Sequence, residues 1–141
     1  MNIYFSCSIT GGRNEQMVYQ KIVETLIEAG HEVPTAHLSS PDILDQEKVA
    51  RPQEIFLRDM NWLLHSDLVV AEVTTPSHGV GYEIAVALGQ QKPVLCLAQS
   101  GRKVSMILSG NTSPLLTLRT YEHEVQIEPL LQAYLGGFAA G

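Results

Sequence analysis

Leu68-Val69-Val70-Ala71-Glu72 is followed, two residues on, by Thr75-Pro76-Ser77-His78-Gly79-Val80-Gly81-Tyr82-Glu83 and then by Ile84-Ala85-Val86-Ala87-Leu88-Gly89. The first block is apolar without alternation, which predicts a short strand covered on both faces. The last predicts a helix over residues 83–90. Between them lies a loop of small residues with two glycines. In α/β sheets such loops, at the carboxyl ends of parallel strands, are where ligands bind. Backbone N–H groups at a helix start can hold an anion, and Glu83, placed by this reading on the first turn, adds a carboxylate. An acid beside an anion site points to chemistry on a phosphorylated substrate.

Working outward, residues 2–6 read as a strand and 7–13 as a polar, glycine-bearing turn. Met17, Ile22, Val23, Leu26 and Ile27 recur at helical spacing within 14–29, and Gly30 is a fitting stop. Residues 31–35 read as a second strand, near an edge because Pro34 interrupts it. A long loop, 36–52, holds a helical turn at 43–48. A helix follows over 53–65, with Ile55, Phe56, Met60, Leu63 and Leu64 on its stripe. Downstream lie a fourth strand (93–98), a short helix (104–108), a fifth strand (115–119) and a last helix (122–135) bent or restarted at Pro129. One domain over 1–135 with a flexible small-residue tail, 136–141, is the expected organisation. Alternating strands and helices predict an α/β, flavodoxin-like or Rossmann-like three-layer sandwich, with a five-stranded parallel sheet in the order 2-1-3-4-5. Its switch point would bring the loops 6–13 and 74–83 together.

Composition narrows the function. The chain has 141 residues, a formal net charge of −6 and no basic cluster, which argues against a nucleic-acid polymer as partner. A single nucleotide needs only a local anion site. Two cysteines without C-x-x-C spacing fit buried thiols in a reducing cytoplasm. Residues 1–6 do not read as a signal peptide, and no apolar run approaches a membrane span. A cytoplasmic protein with no membrane partner is expected. His37, His65, His78 and His123 have no ligand spacing, so neither a metal nor another cofactor is expected.

Glu83 is the first chemical candidate. A helix-start acid is favoured by the dipole alone, but Gly79, Gly81 and Ser77 beside it favour a ligand site. Asp59 taken alone would be a solvated helix acid. Beside Trp62 and paired with Glu83 it would make two carboxylates flanking one site, the arrangement that breaks glycosidic bonds. Tyr4, late in the first strand, is either a core aromatic or a hydroxyl turned into the crevice. Gly11-Gly12-Arg13 has the look of a phosphate turn, but not the spacing of a dinucleotide site; Arg13 could equally cap the loop or be solvated. Glu72 reads as structural. For Ser105, Ser109 and Ser113 helix capping is the default, with an anion contact as the alternative.

Tyr4-Phe5-x-x-Ser8-Ile9-x-Gly11-Gly12-Arg13, Asp59-x-Asn61-Trp62-Leu63, Val70-Ala71-Glu72-Val73-Thr74 and Pro76-Ser77-x-Gly79-Val80-Gly81-Tyr82-Glu83 together resemble the 2′-deoxynucleoside 5′-monophosphate N-glycosidases, relatives of the nucleoside 2-deoxyribosyltransferases. The resemblance implies hydrolysis of the N-glycosidic bond to a free base and 2-deoxyribose 5-phosphate. It implies Glu83 as nucleophile forming a glycosyl-enzyme, Asp59 assisting base departure and Tyr4 positioning the nucleophile and sugar. Ser77 and Gly79 would hold the 5′-phosphate, with Ser8, Ile9, Gly11 and Arg13 in substrate binding. The family acts as a homodimer, which implies Ser105 reaching the phosphate across the interface. Thr10 stands where the family often carries Arg, so the charge available for phosphate is lower here. Base exchange by a deoxyribosyltransferase, and a nucleotide-binding module without turnover, are the alternatives.

Overall fold

β2, Leu68–Glu72, is buried at every position, as its unbroken apolar run demands. A computed structural model describes residues 1–9 and 15–139. In it β2 pairs in parallel with β1, Ile3–Ser6, on one side and with β3, Val94–Gln99, on the other; β3 pairs in parallel with β4, Leu116–Tyr121. Among the described residues the sheet has four strands in the order β1-β2-β3-β4. In register, Tyr4 lies beside Val69 and Ser6 beside Ala71.

Strand alternation divides the core in two. Ile3, Phe5, Leu68, Val70, Leu95 and Leu97 face one layer with Tyr19, Ile22, Val23 and Leu26 of α1, Gln16–Glu28, and Ile127, Leu131 and Leu135 of α6, Ile127–Ala139. Tyr4, Val69, Ala71, Val94 and Cys96 face the other. There they meet Leu63 of the long helix Pro52–His65 and Val80, Ile84 and Ala87 of the helix His78–Gly89. The short helix Ile43–Glu47 is α2, which makes Pro52–His65 α3 and His78–Gly89 α4. Met106–Ser109, after β3, is α5.

The expected second strand does not form. Residues 31–35 make only an isolated bridge, Asn2 to Glu32. Ile3 N donates to Glu32 O at 2.8 Å, but Phe5 N, the next donor on that edge, goes to the Thr35 hydroxyl at 2.8 Å. Pro34 has no N–H to extend the ladder, and Ala36 N turns back to Val33 O at 3.0 Å, opening the 3-10 turn Ala36–Ser39. A side-chain oxygen thus replaces the missing carbonyl, and the five-stranded expectation becomes four strands plus a bridge.

Other boundaries follow local chemistry. Gly30, at φ +85°, ends α1 with the paired bonds Gly30 N to Ile27 O and His31 N to Leu26 O, the glycine C-cap expected there. Pro52 opens α3 at its first position, where the missing N–H costs nothing. Pro129 sits in the first turn of α6 for the same reason, after a 3-10 turn at Glu124–Gln126, and α6 continues through Gly136 and Gly137 to Ala139.

Candidate active site

Ser77 caps α4: its backbone is extended and its Oγ accepts from Val80 N at 3.4 Å. The helix therefore begins at His78, five residues before the expected start. Glu83 lies in the second turn, not the first, and the first turn carries no acid. Its orientation comes from the helix face it occupies rather than from attraction to the helix end. A Cβ built on Gly79 would stand 3.9 Å from both Glu83 Oε1 and Ser77 Oγ. Gly79 thus leaves open the space between hydroxyl and carboxylate.

Tyr4 and Ser6 share one face of β1, and that face meets Glu83. Tyr4 Oη, Ser6 Oγ and Glu83 Oε2 are all buried without a hydrogen bond of ordinary geometry. Both hydroxyls nonetheless lie close enough to the carboxyl to favour its ionised form. Burial outweighs them and, with the nearby Asp59 charge, pushes Glu83 up to about 7. Tyr4 is pushed well above the usual phenol range, first by burial and then by the charges of Glu83 and Asp59, so it stays a neutral hydroxyl.

Asp59 is 9% exposed and belongs to the buried side of α3, whereas Phe56 and Leu64, expected on the core stripe, are about half exposed. The solvated-acid reading of Asp59 therefore fails. Its Oδ1 accepts from Arg58 Nε at 2.8 Å, and Arg58 Nη2 donates to Glu47 Oε1 at 3.1 Å. Ile9, Glu47, Asp59, Ser77, Gly79 and Glu83 line a cavity of about 570 Å³, with Ile55, Phe56, Met60 and Tyr82 among its apolar walls, a volume suited to a small-molecule ligand. The segment between the 3-10 turn and α3 forms part of its wall through Leu44, Glu47 and Lys48. A second cavity, about 490 Å³ and lined by Met1, Ala29, Leu131 and Phe138, lies at the opposite ends of the strands and gathers no comparable buried acids.

Tyr4, Asp59, Ser77, Gly79 and Glu83 are therefore brought together, with Ile9 on the cavity wall and Ser8 buried beside it. Gly11 and Arg13, with Thr10 and Gly12, lie outside the described residues. Ser105 does not join the site within one chain: it is exposed, and its Oγ caps α5 by accepting from Ile107 N at 3.3 Å. Glu72 is wholly buried and projects from the sheet face opposite Tyr4; its Oε1 accepts from Thr74 N at 2.8 Å and from the Thr74 hydroxyl, whose Oγ1 accepts in turn from Gln99 N. Burial pushes it up to about 7. Together with the bond from Thr75 Oγ1 to Glu15 Oε2 at 2.7 Å, these contacts set the loop that carries Ser77. Sequence reasoning passed over Arg58 and Glu47 and took no account of the Ser6 hydroxyl. Ser6 was within reach, because it stands two residues after Tyr4 on the same strand.

Among the described residues there is no cluster of side chains that could hold a metal ion, and no helix is long and apolar enough to cross a membrane. The family model described as nucleoside 2-deoxyribosyltransferase matches residues 3–128. The chain belongs to that family. It is 41% identical over 145 residues to a 5-hydroxymethyl-dUMP N-hydrolase of Esox lucius, covering 99% of both chains. It is 41% identical over 133 residues to a Methanosarcina barkeri protein provisionally named 2′-deoxynucleoside 5′-phosphate N-hydrolase 1, covering 94% of this chain and 84% of that one. In fold it matches the CMP N-glycosidase of Clostridium botulinum, with a TM-score of 0.71 at 19% identity over 94% of this chain and 98% of that chain. The family implied by the sequence motifs is thus borne out.

Proposed function

We propose that this chain hydrolyses the N-glycosidic bond of 2′-deoxynucleoside 5′-monophosphates, releasing a free base and 2-deoxyribose 5-phosphate. The observation that carries this reading is Glu83: a half-buried residue whose Oε2 is buried and unpartnered, facing Tyr4 and Ser6 and opening on a cavity that Asp59 also lines. The N-hydrolase relatives support the same chemistry.

In this reading the 5′-phosphate sits at the start of α4, against Ser77 and the backbone at Gly79, where N–H groups and the helix dipole favour an anion. C1′ then lies over Glu83. Without a 2′-hydroxyl the glycosidic bond ionises readily, and positive charge on the sugar is stabilised by the carboxylate. Glu83 attacks C1′ as the C1′–N bond breaks, and the bonding electron pair leaves on the base nitrogen, which takes a proton from solvent passed through the Asp59 carboxylate. Water next attacks C1′ of the glycosyl ester, its proton passes to solvent through the Asp59 carboxylate, and Glu83 is freed as a carboxylate. The Tyr4 hydroxyl, held neutral, orients the attacking oxygen.

Exposed Phe56, Leu57 and Leu64 on α3, Tyr82 on α4 and Met106 and Ile107 on α5 all belong to the helical layer on the Glu83 side of the sheet. Such apolar exposure supports a homodimer formed through this layer, with Ser105 of one copy serving the phosphate of the other. The buried cysteines Cys7 and Cys96 fit a cytoplasmic setting.

The test is product release. The purified protein is incubated with the four 2′-deoxynucleoside 5′-monophosphates, the matching ribonucleotides and the unphosphorylated deoxynucleosides, with and without a second free base. Free base from deoxynucleotides alone is the expected result. Exchange of bases on nucleosides would instead assign a transferase, and binding without turnover a sensor.

A further inference from the structure

We propose that Arg58 is a positioning residue: its guanidinium, gripped between Asp59 and Glu47, sets the Asp59 carboxylate and fastens α2 to α3 as one wall of the cavity. The proposal rests on the role given to Asp59 above.

Consecutive helix residues do not face each other, so an Arg and an Asp side by side on α3 meet only if the Arg stem folds back. It does so here. Nε donates to Asp59 Oδ1 at 2.8 Å while Nη2 donates to Glu47 Oε1 at 3.1 Å. One planar fork thus serves two carboxylates. A lysine ammonium, a single point on a flexible stem, lacks that spread. The guanidinium also rests 5.0 Å from the ring centre of Trp62, one turn further along α3, and Trp62 is met edge-on by His37 at 5.5 Å. The three-sided seat fixes the plane of the group.

Both carboxylates are mostly out of water, at 12% side-chain exposure for Asp59 and 14% for Glu47. Removing the cation would leave two poorly solvated negative charges unpaired, a costly arrangement. His37 does not stand in as a second cation, because burial and the Arg58 charge lower its pKa. With Oδ1 engaged by Arg58, Asp59 presents Oδ2 to the substrate, so the guanidinium decides which oxygen meets the base. α2 spans only Ile43–Glu47, too short to hold its form alone. Ile43 buries its start, and the Glu47–Arg58 pair ties down its end.

The experiment compares Arg58→Met, Arg58→Lys, Glu47→Gln and Asp59→Asn, with the double variant Arg58→Met/Asp59→Asn, on the four deoxynucleoside 5′-monophosphates, reading base release. Circular dichroism verifies folding, and hydrogen exchange is followed over residues 43–51. Arg58→Met is expected to lower kcat roughly 30- to 100-fold with KM within about threefold, the scale of loss when a reacting group is displaced by about 1 Å. Arg58→Lys should recover little of it. In the Asp59→Asn background Arg58→Met should cost nothing further, since both changes disable one unit. Exchange over 43–51 should quicken in Arg58→Met and in Glu47→Gln, but not in Asp59→Asn. Independent, multiplying losses in the double variant, a loss confined to KM, or wild-type kcat in Arg58→Lys would each overturn the positioning role. Unchanged exchange in Glu47→Gln would overturn the tie between α2 and α3. Full turnover by Asp59→Asn would overturn the role of Asp59 and the carboxylate-setting half with it, while the exchange measurement still decides the other half.

Discussion

Replacing Glu83 by Gln should make the protein more stable at alkaline pH and inactive at every pH. Burial raises the Glu83 carboxyl from 4.5 to about 7, so between those values the folded chain binds a proton that the unfolded chain has already lost. Stability due to this group is therefore highest below the unfolded value and falls as pH rises through about 7. A difference of that size, at about 1.4 kcal/mol per pKa unit, is a cost of about 3 kcal/mol once the carboxyl is ionised in place. Gln keeps the shape and cannot ionise. At pH 8.5 Glu83→Gln should gain up to about 3 kcal/mol, on the order of 10 °C in Tm for a chain of this size, and below the unfolded pKa the gain should vanish. Urea melts across this range measure it, with base release assayed on the same samples. A gain that does not change with pH, or a variant less stable than the parent at pH 8.5, would refute the claim that the site holds an acid against its solvation. Retained turnover would refute its use as nucleophile.

If ionised Glu83 is the attacking group, kcat/KM for a deoxynucleoside monophosphate should rise with pH through an apparent pKa of about 7; a flat profile from pH 5 to 8 would remove that assignment. Ser105→Ala should weaken monophosphates and spare the unphosphorylated deoxynucleosides, and equal weakening of both would take Ser105 away from the phosphate. Thr35→Val strips the buried Phe5 N–H of its acceptor and should cost about 1–3 kcal/mol in a urea melt. A loss near zero would mean that the edge of β1 finds another partner.

What could be read along the chain was whatever depends on neighbours. The apolar run of β2, the glycine stop at Gly30, the small-residue stretch Thr75–Gly81 that leads into α4 and the motifs around Asp59 and Glu83 are local signals, and they carried the parallel α/β class and the family. Local periodicity failed where two faces competed. On α3 it put Phe56 and Leu64 in the core stripe and left Asp59 to solvent, yet Asp59 is buried and both apolar side chains are half exposed. An unpaired edge misled it again at residues 31–35, where Thr35 rather than a carbonyl receives Phe5 N.

The sequence by itself determined the alternation of strands and helices and the acid that follows the Ser77–Gly81 stretch, because backbone propensity and turn chemistry act over a few residues. Only the tertiary structure decided that Tyr4 and Ser6 of β1 meet Glu83 of α4, that the sheet stops at four strands, and that Arg58 joins Asp59 to Glu47. Those facts depend on burial and on contacts between distant segments. The pKa that readies Glu83 comes from the same source: desolvation belongs to the folded core and has no counterpart in a string of residues.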